Sequence, residues 1–114
     1  MIAVIFEVEP EEGRGDEYLD IAAQMRPLAE QVDGFISVER FQSLTDRKKL
    51  LSLSFFRDEA AIEVWRKLDA HRSAQSAGRE GIFAGYRLRI AHVMRDYGLD
   101  DRVQAPADSR VAHT

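Results

Sequence analysis

The stretch VWRKLDAHRSAQSAG, residues 64–78, carries the only tryptophan of the chain, Trp65, and one of its three histidines, His71. An imidazole titrates close to neutral pH and can accept or donate a proton in a reaction, and an indole offers a flat apolar wall to a ligand. On a helical wheel His71 falls about 20° from Val64 and about 60° from Leu68, with Gln75 on the same line. Trp65 lies about 100° from Val64, at the edge of that stripe, and about 9 Å of helix rise separates it from His71. An inward histidine and glutamine cost free energy unless they find partners. Either His71 hydrogen-bonds a neighbouring backbone group and closes the core, or the inner face of the helix lines a cavity into which it reaches.

Other constellations are poorer. His92 and His113 are too far along the chain to give ligand spacing with His71, so no dedicated metal site is expected. The absence of cysteine excludes disulfides, thiolate ligands and thiol catalysis. Gly78, Gly81 and Gly85 follow a helix and precede a strand, the reverse of a phosphate-cradling loop. There is no G-x-S-x-G elbow.

The elements that must position these residues read clearly. In IAVIFEVEP, Ile2, Val4, Phe6 and Val8 alternate with Ala3, Ile5 and Glu7, a strand closed by Pro10. Asp16 is the expected cap of a helix whose stripe is Tyr18, Ile21, Ala22, Met25, Leu28, Ala29 and Val32, with Pro27 inside it and Gly34 past its end. FISVERFQSL and LLSLSFF flank the polar turn TDRKK as a hairpin. Asp58 caps a second helix with the stripe Ala61, Val64, Leu68 and His71. YRLRIAHVMRDY is the last strand. Residues 1–98 form the domain, and 99–114 read as a polar C-terminal arm or a disordered tail.

Strand, helix, strand, strand, helix, strand is the order of a ferredoxin-like α+β fold, an antiparallel sheet with two helices on one face. The last strand sets Tyr86, Leu88, Ile90 and Met94 against Ala91 and Val93. The third sets Leu51, Leu53 and Phe55 against Leu50 and Phe56. Helices cover one face only, so an apolar second face predicts a homodimer packed sheet to sheet.

With 114 residues, 45% hydrophobic and 32% charged, the chain has the balance of one soluble globular domain. A net charge of −4 leaves no basic surplus for nucleic acid or an anionic membrane. No apolar run approaches membrane-spanning length and no charged n-region precedes one, so a cytoplasmic location is the expectation.

WRKLDAHRSAQSAGREGIFAGYRLRIAHVMRDYG, with IAVIFEVEP and GFISVERFQS…LLSLSFFRDEAAIEVW before it, resembles the antibiotic biosynthesis monooxygenase family over about residues 1–98. The resemblance implies a βαββαβ unit that dimerises into an α+β barrel. It also implies oxygenation of a small aromatic or quinol-type compound by molecular oxygen, without a cofactor. His71 would be the proton acceptor. Arg72 or Gln75 would orient it or offset negative charge, and Trp65 and Tyr86 would form apolar walls. The family's asparagine on the first strand has no counterpart, because the chain contains no asparagine; Glu7 or Phe6 stands in that region. A non-catalytic dimeric small-molecule-binding or stress-related domain is the alternative, and heme degradation, with heme as the ligand, a third reading that the missing amide disfavours.

Overall fold

The computed structural model describes residues 1–68, 76 and 81–112. Its elements are β1 (Ile2–Pro10), α1 (Gly15–Glu30), β2 (Phe35–Gln42), β3 (Leu50–Phe56), α2 (Glu59–Lys67), β4 (Phe83–His92) and a short α3 (Ala107–Ala112). The four strands make one sheet in the order β2-β3-β1-β4, every pair antiparallel. This is the ferredoxin-like α+β fold.

Alternation in β1 decides which side is covered. Ile2 and Val8 are buried among residues of the helices and the strands beside them, one at each end of the strand. Ile2 joins Val32, Phe56, Ala61 and Ile62 in one cluster, with Val4, Phe35, Trp65 and Leu68 packed against it. Val8 joins Tyr18 and Ile82 in a second, flanked by Phe6, Ile21, Leu50 and Phe83. The antiparallel register carries that face across the sheet: Val4 stands opposite Ser54 and Ile90, Phe6 opposite Ser52 and Leu88, and Val8 opposite Leu50 and Tyr86.

The other face presents Ala3, Ile5 and Glu7 beside Phe55, Leu53 and Leu51, continuing to Arg89 and Arg87 on β4. Its centre is apolar and its β4 margin is charged. The exposed apolar residues of β4, Tyr86, Leu88 and Ile90, therefore share the helix-side face of β1 and do not contribute to the second face. β1 and β3 supply apolar side chains to both faces.

α1 begins two residues earlier than a cap at Asp16 requires. Arg14 is the capping residue and its side chain makes no capping bond; Asp16 and Glu17 lie in the first turn, where negative charge complements the helix dipole. Glu17 is instead clasped by Arg14, at 3.2 Å from Nε and 2.7 Å from Nη2. The helix continues through Pro27, which removes one backbone donor. Asp58 does cap α2: its Oδ1 accepts from the Ala61 N–H at 2.9 Å.

α2 ends at Lys67 with an extended cap at Leu68, short of the His71 expected on its stripe, and its inward stripe also differs from the expected one. Val64 is 53% exposed, whereas Ala61 and Ile62 are buried, and Trp65 and Leu68 pack against their cluster. Positions 61, 65 and 68 have helical spacing as good as 61, 64 and 68. The larger indole, with more apolar surface to remove from water, takes the inner position.

Beyond β4 the chain folds back on itself locally. Arg102 donates to the Gly98 carbonyl at 3.2 Å and to Ser109 Oγ at 2.6 Å, and lies 5.2 Å from the Tyr97 ring centroid. Ala105 is buried. No helix among the described residues is long and apolar enough to cross a membrane.

Candidate functional site

Between the helices and the β2–β3 half of the sheet lies a cavity of about 80 Å³. α1 gives it Met25, Arg26 and Ala29, and β2 gives Phe35, Val38 and Arg40. β3 adds Ser52, Ser54 and Phe56, and α2 adds Trp65. Its shape follows from the strand register. Arg40 pairs with Ser52 and Val38 with Ser54, so two polar pockets of side chain stand on the helix-facing side of strands otherwise apolar there. A serine is small, and two of them at successive inward positions leave space that a leucine or valine would fill.

Among the described residues four polar side chains line this space, Arg26, Arg40, Ser52 and Ser54, and none of these is acidic. The Arg26 guanidinium is engaged, its Nε donating to Glu30 at 3.1 Å. Arg40 differs. Its Nε is buried with no hydrogen-bond partner, and the guanidinium forms no ion pair among the described residues. A buried donor left unsatisfied costs about 1–3 kcal/mol, more when it belongs to a charged group. Arg102 also has an unpartnered Nε, but its two terminal nitrogens are bonded to the tail, whereas the partly buried Arg40 makes no side-chain hydrogen bond among the described residues.

Trp65, placed at the edge of its helix by the expected stripe, is turned onto the cavity and packs on the Ile2–Phe56 cluster. Tyr86 stands elsewhere. Its ring lies 5.7 Å from Phe6 and 6.0 Å from Phe83, while Phe83 is 5.7 Å from Tyr18, forming an aromatic group at the Val8 end of the sheet. Tyr86 is 60% exposed and does not line the cavity that holds Trp65. His71, Arg72 and Gln75 lie outside the described residues. A second, larger groove of about 270 Å³ runs between α2 and β4, lined by Glu59, Ile62, Glu63, Arg66 and Ile90.

The vacant asparagine position can also be placed. Phe6 faces the helices, and Glu7 faces away from them, its carboxylate paired with Arg89 at 3.2 Å. The first strand therefore presents an aromatic ring, not a carboxylate, to the helix side. Arg40 was missed by sequence reasoning. Its only signal was a cation among alternating strand residues, VERF, at a position whose register puts it with Val38 on the covered face. Among the described residues, no cluster of histidine and acidic side chains is arranged to hold a metal ion.

The family model for antibiotic biosynthesis monooxygenase matches residues 1–77. The chain belongs to that family. A Pyricularia oryzae protein named jasmonate monooxygenase ABM is 44% identical over 93 residues, 82% of this chain and 43% of that protein. The chain thus spans less than half the length of that relative. YqjZ of Bacillus subtilis is 33% identical over 94 residues, covering 82% of this chain and 79% of YqjZ. A solved structure from Deinococcus radiodurans ascribed to the antibiotic biosynthesis monooxygenases superposes with a TM-score of 0.77 over 86% of this chain and 97% of that one. At 10% identity, that likeness shows the shared fold alone.

Proposed function

We propose that this member of the antibiotic biosynthesis monooxygenase family is a cofactor-independent oxygenase of a small cyclic or aromatic compound with an acidic C–H or O–H. The single observation that carries it is the placing of Trp65, the one indole of the chain, against a cavity between helices and sheet that holds a few polar groups in an apolar wall. The 44% identity to a protein named as a monooxygenase supports the reaction class.

The chemistry needs a base and a substrate that supplies its own electrons. For an anthrone-like methylene, a base removes a proton, the carbanion adds to dioxygen, and protonation gives a hydroperoxide. Loss of the second C–H proton with departure of hydroxide forms the ketone, so R₂CH₂ and O₂ become R₂C=O and water. His71 is the proposed base, with Arg72 or Gln75 beside it and Trp65 as the apolar surface; Tyr86, at the other end of the sheet, takes no part. The cavity of about 80 Å³ is smaller than the several hundred cubic ångströms of a drug-sized site, so substrate enters as the helices part.

The protein is also proposed to act as a homodimer joined through the face centred on Ile5, Leu51, Leu53 and Phe55, since α1 and α2 both pack on the opposite side.

Oxygen uptake with a panel of anthrones, phenols and quinols tests the assignment. We expect uptake by the unaltered protein, and a loss of about 100-fold or more in His71→Ala with the circular dichroism spectrum unchanged. No uptake with any member of the panel, or equal rates in the variant, overturns it.

A further inference from the structure

We propose that the cavity selects a carboxylate and that Arg40 is the residue that recognises it; the inference rests on reading the helix–sheet cavity as the substrate site. Arg40 offers a planar fork of donors whose Nε is shielded from solvent and bonded to nothing. Among the described residues no acidic side chain lines the space, so none of them balances the charge from within the cavity. The other lining cation, Arg26, is already held by Glu30. Ser52 stands opposite Arg40 on the neighbouring strand, and Ser54 two residues on, adding two hydroxyl donors on the same face.

This donor set matches the two oxygens of a carboxylate better than it matches a single phenolate oxygen. A guanidinium meets a carboxylate through two parallel N–H···O bonds, and such charge-assisted pairs strengthen where water is excluded. Phe35, Phe56 and Trp65 around the fork supply that exclusion and an apolar bed for the carbon skeleton. The substrate class that follows is a small cyclic carboxylic acid, bound with its acid group toward β2–β3 and its reacting carbon toward the second helix. Arg40 is then a specificity residue, separate from the base that starts the oxygenation.

Trp65 is the only tryptophan, so its fluorescence reports this cavity without interference. Benzoate and benzamide, equal in shape but different in charge, are titrated into the full chain. We expect a saturable change with benzoate at concentrations about ten-fold lower than with benzamide. In Arg40→Met, which keeps the length of the stem, benzoate falls to the benzamide level with the far-ultraviolet spectrum unchanged, and Arg40→Lys restores part of the preference. Arg66→Met, beside the other groove, keeps the full preference. Absence of a saturable response to benzoate, equal binding of the two probes, or a preference that survives Arg40→Met overturns the proposal. Oxygen uptake on the panel above is read independently. Intact uptake without a charge preference refutes the carboxylate assignment alone. A charge preference that depends on Arg40 in a protein that consumes no oxygen refutes the oxygenase reading and leaves the carboxylate site standing.

Discussion

Gly34 and Ala61 touch across the junction of β2 and α2: a Cβ built on Gly34 would lie 2.9 Å from the Ala61 Cβ, and 3.3 Å from the Arg57 guanidinium. Gly34 also holds φ at +92°, a conformation that side chains rarely tolerate. Its backbone is tied to the same corner, the Arg57 N–H donating to the Gly34 carbonyl at 2.7 Å. This contact sets how closely the second helix approaches the sheet, and with it the position of Trp65 one turn further on.

Gly34→Ala therefore combines a strained backbone with a clash against a buried residue. A loss of about 2 kcal/mol or more is expected from urea unfolding, together with a red shift of Trp65 emission as α2 lifts. Unchanged stability and emission would show that the corner absorbs a methyl group without moving the helix.

Phe56 is 1% exposed, pairs with Ile2 across the sheet and meets the Phe35 ring edge-on at 5.7 Å. Phe56→Ala removes the floor of the cavity and the centre of one core cluster at once. It should lower unfolding free energy by about 3–5 kcal/mol, measured by chemical denaturation. Phe56→Leu, which keeps most of the volume, should cost well under half of that.

Asp58 gives stability its expected pH dependence. The Ala61 N–H and then the Arg57 guanidinium hold its carboxyl below the ordinary carboxylate value. A carboxyl with a lowered folded value contributes its full stabilisation above the unfolded value, about pH 4, and loses it as the pH falls through the folded one. Glu17, held low by Arg14, and Glu63, held low by Lys67, fade over the same range. Only the difference between unaltered protein and Asp58→Asn, which keeps a capping acceptor, isolates the contribution of the Asp58 charge. That difference in urea midpoint should be present at pH 6 and shrink below about pH 4. Asp58→Ala, which also removes the acceptor, should lower Tm by about 3–6 °C at pH 7.

Leu53 sits opposite Ile5 at the middle of the sheet face turned away from α1 and α2. If two copies join there, Leu53→Asp places paired charges in the seam, and light scattering should report a monomer of about half the mass. Leu19→Asp, on an exposed position of α1, should leave the assembly intact. A monomer in the unaltered protein would overturn the dimer.

Much of the architecture was legible in the order of residues because it rests on local periodicity. The alternation of Ile2, Val4, Phe6 and Val8, the stripe from Tyr18 to Val32 and the Asp58 cap each concern neighbours within a few positions, where sterics and hydrogen bonding act directly. Helix α2 marks the limit. Nine residues allow two apolar stripes of equal spacing, and only packing against Ile2, Val32 and Phe56 chose Trp65 over Val64. The same holds for Tyr86, Leu88 and Ile90, whose apolar character was plain but whose side of the sheet depends on pairing with a strand some eighty residues away.

Arg40 shows the division most sharply. The chain by itself determined the element order, the fold class and a second helix bearing an indole. Whether a strand arginine is fully hydrated or partly buried with its Nε shielded beside two serines is settled by the joint register of β2 and β3 and by the helices laid over them. That is a non-local outcome: the cost of burying a charge depends on which distant groups fail to meet it, and no spacing along the chain records a missing partner.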